Sequence, residues 1–416
     1  MASIALRNAA QIITFAGSGP VRRPALGATA PAAGAPVFCD AGRFVDAGEG
    51  EAAEIEIEAR GCTIVPGFVD PHTHLPFFGW RADEDAARLS GFRYEDLHHR
   101  EGGIYRSARM LAAASDAEVV GFSRSLAEAM LDRGTTTFET KSGYGLTIEA
   151  ELRQLRLARK LAGAVPQRVV TTCLAAHAVP KDKSEGEWVG EIAETLLPAA
   201  AAEGLAWAVD VYVESIAFQL EHAARLAKVA GELGLRMRMH ADQLSDGQSG
   251  SFAARWGFAS ADHLNHTSNE AVDDIAATDT VAVLLPGATF TLRQAKKPPA
   301  RRLIESGAVV ALGSDLNPGT SPLHSIPFVI ALACRVYGLR PLEALAASTV
   351  NAAFALGLDH EVGRIQAGHR ADLVVLAVPS FEEIPYRPDH DSIAAVICEG
   401  ELQRLAPSFA ERVTRQ

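Results

Sequence analysis

The run Asp70-Pro71-His72-Thr73-His74 closes an apolar stretch, Ile64-Val65-Pro66-Gly67-Phe68-Val69. Side chains alternate along a strand, so two histidines two residues apart face one side and both imidazoles can reach one ion. A lone His-x-His pair also occurs on solvated strands. Here, however, ionisable residues recur after later apolar runs: Lys141-Ser142-Gly143-Tyr144-Gly145, His177, Glu214, His240-Ala241-Asp242-Gln243, His263 with His266, and Asp315-Leu316-Asn317-Pro318-Gly319-Thr320. Singly, each has a plain alternative. Glu214 suits a satisfied carboxylate at a barrel mouth, and His266 a solvated loop. Core packing does not account for the joint pattern.

Neutral imidazoles with a carboxylate suit Zn²⁺, and iron or manganese is compatible with the same ligand types. His72, His74, His240 and Asp315 can supply the ligands and leave a position open for water. A bound cation lowers the pKa of that water toward ~7. Asp315 is the best candidate to touch both metal and water and to move the proton; His263 is the second, for proton transfer or for polarising the scissile carbonyl. A serine-hydrolase reading fails because Gly247-Gln248-Ser249-Gly250 lacks the Gly-x-Ser-x-Gly spacing. Neither a Walker loop nor a Gly-x-Gly-x-x-Gly following a strand is present, which speaks against nucleotide cofactors.

The elements that must position these residues are legible as repeats. Asp116 can cap a helix with apolar positions Val119, Phe122, Leu126 and Met130, ended by Gly134 and followed by the β-branched run Thr135–Thr140. Leu226, Val229 and Leu233 mark another helix, ended by Gly234 before Leu235–Met239. Eight strand candidates follow: Ile64–Val69, Thr135–Thr140, Val169–Leu174, Val209–Val213, Leu235–Met239, Ser260–Leu264, Val281–Leu285 and Val309–Gly313. Eight βα repeats predict an α/β fold, a TIM-like (β/α)8 barrel with its active site at the C-terminal strand ends. Before it, Ser3–Arg7, Ile12–Phe15, Val37–Cys39 and Glu54–Ile57 read as short strands, with Ala16–Pro36 a loop. Strand-like runs return at Asp372–Ala377 and Ile393–Cys398. The expected organisation is a barrel over 64–355, flanked by 1–63 and 356–416, which join in one small composite β-sandwich domain.

Composition narrows the class. The 416 residues suit a barrel of roughly 250–300 residues with a smaller domain. Thirty-nine Lys and Arg stand against 51 Asp and Glu, a net charge of −12, which disfavours nucleic acid or an anionic membrane as partner. No uninterrupted apolar segment of about 20 residues is present. Arg7 lies within the first apolar stretch, unlike a signal peptide. Five cysteines without CxxC spacing suit a reducing, cytoplasmic setting.

Pro66-Gly67-Phe68-Val69-Asp70-Pro71-His72-Thr73-His74 resembles the first barrel strand of the amidohydrolase superfamily. Further motifs narrow the resemblance to the imidazolonepropionase family. They are Gly79-Trp80-Arg81-Ala82-Asp83-Glu84, Lys141-Ser142-Gly143-Tyr144-Gly145-Leu146, Ala175-Ala176-His177-Ala178-Val179-Pro180, His240-Ala241-Asp242-Gln243-Leu244-Ser245, Ser260-Ala261-Asp262-His263-Leu264 and Ser314-Asp315-Leu316-Asn317-Pro318-Gly319-Thr320-Ser321-Pro322. The resemblance spans about residues 4–400.

It implies ring opening of the small molecule 4-imidazolone-5-propanoate by water, giving N-formimino-L-glutamate in histidine degradation. It implies one Zn²⁺ or iron ion per chain on His72, His74, His240 and Asp315. Arg81, Tyr144, His177, Gln243, Asn317, Gly319 and Thr320 would line the substrate pocket, and Asp315, His263 and Gln243 would carry catalysis. A propanoate wants a bidentate guanidinium partner, the role expected of Arg81. No nucleic acid or membrane partner is expected, and a homodimer is compatible.

The chain departs from the family pattern at Glu101-Gly102-Gly103-Ile104, at Gln248-Ser249-Gly250, at Thr289 within Pro286–Arg293, and at Gln294. Those departures keep open a diverged amidohydrolase that opens or deaminates another small nitrogen heterocycle. A non-catalytic binding protein on the same barrel predicts lost ligands, and none is lost.

Overall fold

The structure is a computed structural model describing residues 2–22, 36–46, 52–91 and 102–415. Most of the Ala16–Pro36 loop lies outside the described residues.

Eight parallel strands form one sheet in sequence order: Phe68–Asp70, Thr135–Lys141, Arg168–Ala176, Ala208–Tyr212, Arg236–Ala241, Ser260–His263, Val281–Leu284 and Val310–Leu312. They are called barrel strands one to eight below. The sheet closes just beyond the ends of strands eight and one. The Asp315 N–H donates to the His72 carbonyl at 2.9 Å, and the His74 N–H donates to that of Leu316 at 2.9 Å. Closure therefore falls on the segments that carry the candidate ligands.

Helices separate most of the strands. Asp116–Asp132 is one, with Val119, Ala127 and Met130 buried. Its cap is Ser115 rather than the expected Asp116: the Ser115 hydroxyl accepts the Glu118 N–H, and Glu118 reaches back to the Ser115 N–H. Asp116 instead pairs with Arg153 and Lys160. Gly134 follows with φ 87°, the left-handed turn expected there.

The chain ends build two five-stranded sheets. One runs Val413–Arg415, Ile55–Glu58, Ile4–Arg7, Val37–Asp40, Arg43–Val45. The other runs Glu401–Leu405, Ile393–Cys398, Leu373–Leu376, Thr63–Pro66, Gln11–Ile12. Each mixes strands from both ends, and one apolar cluster holding Ile4, Leu6, Phe44, Ile57, Ile64, Leu373, Val375 and Ile397 joins them into a sandwich.

The apolar run Ile64–Val69, expected as one barrel strand, is thus two. Thr63–Pro66 pairs antiparallel with Leu373–Leu376, and only Phe68–Asp70 enters the barrel. Gly67 marks the change. A Cβ there would overlap the Thr136 side chain, so the close approach of the two sheets requires glycine.

Candidate active site

His72 and His74 follow strand one, strand five carries His240, strand six ends in His263, and Asp315 follows strand eight. All five side chains are buried. His72 Nε2 lies 3.3 Å from His74 Nε2 and 3.5 Å from Asp315 Oδ1, and His74 Nε2 lies 3.1 Å from that oxygen. Ligand atoms of His72, His74 and His240 fall within 4.8 Å of one another, as do those of His72, His263 and Asp315. His240 Nε2 and His263 Nδ1 are buried without a hydrogen-bond partner among the described residues. Such a convergence of lone pairs fits a cation. His263 and Asp315 also hold left-handed backbones, φ 79° and 55°, a strain typical of side chains aimed at a site.

Two carboxylates orient the imidazoles from behind. His72 Nδ1 meets Asp262 Oδ2 at 2.5 Å, and His240 Nδ1 meets Asp210 Oδ2 at 3.1 Å. That leaves Nε2 of each free to face a cation. Each carboxylate has a buried cation beside it: Arg238 Nη2 lies 3.0 Å from Asp262, and Lys141 Nζ 2.9 Å from Asp210. Lys141 also donates to Glu139 at 2.7 Å. The carboxyls of Asp70, Glu139, Asp210, Asp262 and Asp315 are thus all buried around Lys141 and Arg238.

Burial, with help from the Lys141 charge, holds the His72 imidazole well below its ordinary pKa. Burial does the same to His74 and His177, and lowers His263 to about 3. Burial raises Asp315, and pushes Asp70 up to about 7. For Asp210 burial acts upward, but His240 and Lys141 outweigh it and hold the carboxyl well below its usual range.

The cavity above the histidines is lined by His74, His240, His263 and Asp315, and by Arg81, Tyr144, His177, Gln243, Asn317 and Thr320. His72 does not line it. Gly319 lies under Arg81, where a Cβ would run into the guanidinium. Arg81 is buried, 3.4 Å from Glu84, and its Nε and Nη1 have no hydrogen-bond partner among the described residues. His177 stacks on His74 with centroids 5.2 Å apart, and Tyr144 flanks His177 at 5.5 Å. The Asn317 amide oxygen accepts the N–H groups of Gly319 and Thr320 at 2.9 and 2.7 Å, so Asn317 shapes its loop as well as lining the cavity.

Other strand-end groups are spent elsewhere. Glu214 accepts the Leu244 N–H and the Ser245 hydroxyl, both at 2.7 Å, and lies outside the ligand groups. His266 is half-buried and outside the ligand groups. Asp242 gathers Ser249, Gly250 and Thr267, holding the Gln248–Gly250 turn. Gln294 donates to the Gln243 carbonyl at 3.2 Å and accepts from Asn265, which also donates to Thr289. Gln294 thus braces the Gln243 backbone, with Thr289 joined to it through Asn265. Glu101 lies outside the described residues, while Ile104 lines the cavity.

Sequence reasoning missed Tyr212, which lines the cavity at the end of strand four with its ring 5.7 Å from that of His240. It also missed Glu151, whose carboxylate accepts the N–H groups of Gly143 and Gly145 and shapes the Lys141–Gly145 loop. The signal for Tyr212 was its position at the end of a strand. Glu151, an acid in an amphipathic helix, gave none.

The profile of the Amidohydrolase family matches residues 63–403. The imidazolonepropionase of Symbiobacterium thermophilum is 44% identical, covering 95% of this chain and 96% of its own. That of Rubrobacter xylanophilus is 44% identical over 83% of each chain, and that of Geobacillus sp. 37% over 97% and 98%. Among solved structures, the atrazine chlorohydrolase of Arthrobacter aurescens complexed with zinc superposes with a TM-score of 0.69 at 15% identity, covering 97% of this chain and 95% of the other. An adenosine deaminase from Xanthomonas campestris with bound zinc superposes at 0.68 and 17%, covering 97% and 93%. At such identities these two likenesses concern the fold.

Proposed function

The chain belongs to the amidohydrolase family, among the imidazolonepropionases, and from that premise we propose that it opens the ring of 4-imidazolone-5-propanoate with water to give N-formimino-L-glutamate, using one Zn²⁺ or iron ion. The observation that carries this reading is the convergence of His72, His74, His240 and Asp315 beside a cavity that also holds a buried arginine whose Nε has no hydrogen-bond partner among the described residues.

His72, His74 and His240 would hold the ion through Nε2, and Asp315 through Oδ1. When bound, the ion supplies an electrophile and a water acidic enough to attack at neutral pH. Arg81 binds the propanoate carboxylate through its fork of donors. Tyr144, His177, Asn317 and Thr320 shape the cavity around the ring, and the Gln243 amide offers hydrogen bonds to its polar edge. As water adds to the ring carbonyl carbon and the C–N bond breaks, one proton must pass from the water to the leaving nitrogen. Asp315 takes that proton, and His263, a neutral imidazole at neutral pH, assists its transfer.

The test is loss of imidazolone absorbance with purified, metal-analysed protein. One ion per chain is expected, and His72→Ala should abolish turnover and lower metal content. Two tightly held ions per chain would overturn the single-ion site. A metal-loaded protein inert toward the imidazolone would overturn the substrate.

A further inference from the structure

We propose that Lys141 is a positioning residue that ties the ligand-bearing strands of the metal site together. The inference rests on His72, His74 and His240 being ligands, as proposed above. Lys141 ends the second barrel strand; its side chain is fully buried and does not line the cavity. No step of the reaction needs it. Its ammonium nevertheless sits between two carboxylates, 2.7 Å from Glu139 Oε1 and 2.9 Å from Asp210 Oδ2.

Each carboxylate leads to a different ligand. Asp210 meets His240 Nδ1 at 3.1 Å and accepts the His240 backbone N–H at 3.2 Å. Glu139 reaches the residue between the other two histidines: its Oε2 accepts the Thr73 N–H at 3.3 Å, and its carbonyl accepts the Thr73 hydroxyl at 2.7 Å. One ammonium therefore bridges strand two to strand four and, through the two carboxylates, reaches the ligands of strands one and five.

A buried ammonium between two buried carboxylates is a costly arrangement for stability alone, because its desolvation offsets much of the attraction. Its geometric effect is specific. Without the cation, Glu139 and Asp210 are two like charges facing a dry gap. Asp210 then loses the donor that holds it aimed at His240 Nδ1, and His240 loses the contact that fixes its tautomer and ring plane. The Thr73 backbone loses its anchor in the same event.

The test is Lys141→Met in the full-length protein, a substitution of similar length without charge. Zinc affinity is read by competition with a chromophoric chelator, and kcat and KM are read at saturating zinc. Zinc affinity should fall about ten- to a hundred-fold, the usual effect of removing an outer-shell partner. At saturating zinc kcat should fall while KM stays within about twofold, because Arg81, the partner of the substrate carboxylate, is untouched. Zinc affinity and saturated kcat both within about twofold of the parent would overturn the proposal. If Lys141→Met does not fold, Glu139→Gln decides. It removes one arm of the bridge, and a folded variant with weakened zinc binding supports the tie, whereas unchanged zinc binding overturns it. Failure of the underlying site has a different signature: His72→Ala would then leave the zinc affinity of the parent chain unchanged.

Discussion

The barrel mouth and the two-sheet layer are both dry, yet they bury opposite chemistry. The mouth encloses Glu139, Lys141, Asp210, Arg238 and Asp262 with no solvent exposure at all. The layer encloses Ile4, Leu6, Ile64, Val375 and Ile397 to the same degree. Apolar burial stabilises the chain by roughly 25 cal/mol per Å². Buried ion networks return little or nothing net, because desolvation consumes the Coulombic gain. The layer and the outer apolar shell of the barrel therefore carry stability, and the mouth draws on it to hold charges where water would otherwise screen them. If so, changes at the mouth should alter turnover while sparing the fold, and changes in the layer should do the reverse.

The largest departure from symmetry between the regions is expected at His263. His263→Asn should keep the fold and the metal and lower kcat by about 10²–10⁴, the range for losing a positioned proton-transfer group. The loss should appear in kcat and kcat/KM alike if the group acts in the transition state. Metal analysis and thermal unfolding of the same sample check the separation. Metal content falling in proportion to activity would instead make His263 a ligand, an arrangement the grouping of His72, His263 and Asp315 also allows.

Arg81→Lys should have a smaller effect, and of a different kind. An ammonium is a point charge where the guanidinium offers a fork. Losing one charge-assisted hydrogen bond to the substrate carboxylate costs about 1.5–3 kcal/mol, a ten- to hundred-fold rise in KM. The melting temperature should stay within a few degrees of the parent. A KM unchanged alongside an unchanged melting temperature would remove Arg81 from substrate binding.

The same contrast explains what the sequence disclosed. At the mouth, charges interrupt apolar strands at a period of two, as in Glu139 and Lys141 or Arg238 and His240, and such interruptions have few structural causes. The strand ends were legible for that reason, and seven of the eight barrel strands lie within a few residues of their expected bounds. In the layer only apolarity was available, and apolarity does not say which sheet a strand joins. Thr63–Pro66 therefore merged with Phe68–Asp70 into one expected strand. Arg43–Val45, Glu401–Leu405 and Val413–Arg415 went unread because these short edge strands are half polar. Ser115 was overlooked as a cap because Asp116 beside it is an equally good capping type.

Asp372 tests the contrast at its weakest point, the seam where the central strand of the layer begins. Its carboxyl is buried, accepts the Glu399 N–H at 2.6 Å, and leaves Oδ2 without a hydrogen-bond partner among the described residues. Burial pushes its pKa from 3.8 up to about 6, against the pull of that N–H and of Arg168. A carboxyl with a raised pKa in the folded state holds its proton more tightly there than in the unfolded chain. The stability this contributes is complete below the unfolded pKa and is lost as pH rises through the folded one. Between pH 5 and pH 8 the parent should lose about 1–2 kcal/mol through this residue. Asp372→Asn keeps an acceptor for Glu399 and carries no titrating proton. The stability of the parent relative to the variant should therefore fall by that amount from pH 5 to pH 8, with kcat and KM of the two unchanged at either pH. Denaturant unfolding at the two pH values measures the difference. A constant gap between parent and variant would show that Asp372 does not titrate in this window. A variant that loses turnover as well would show that the seam transmits strain to the mouth, and the division between a region that stabilises and a region that reacts would fail there first.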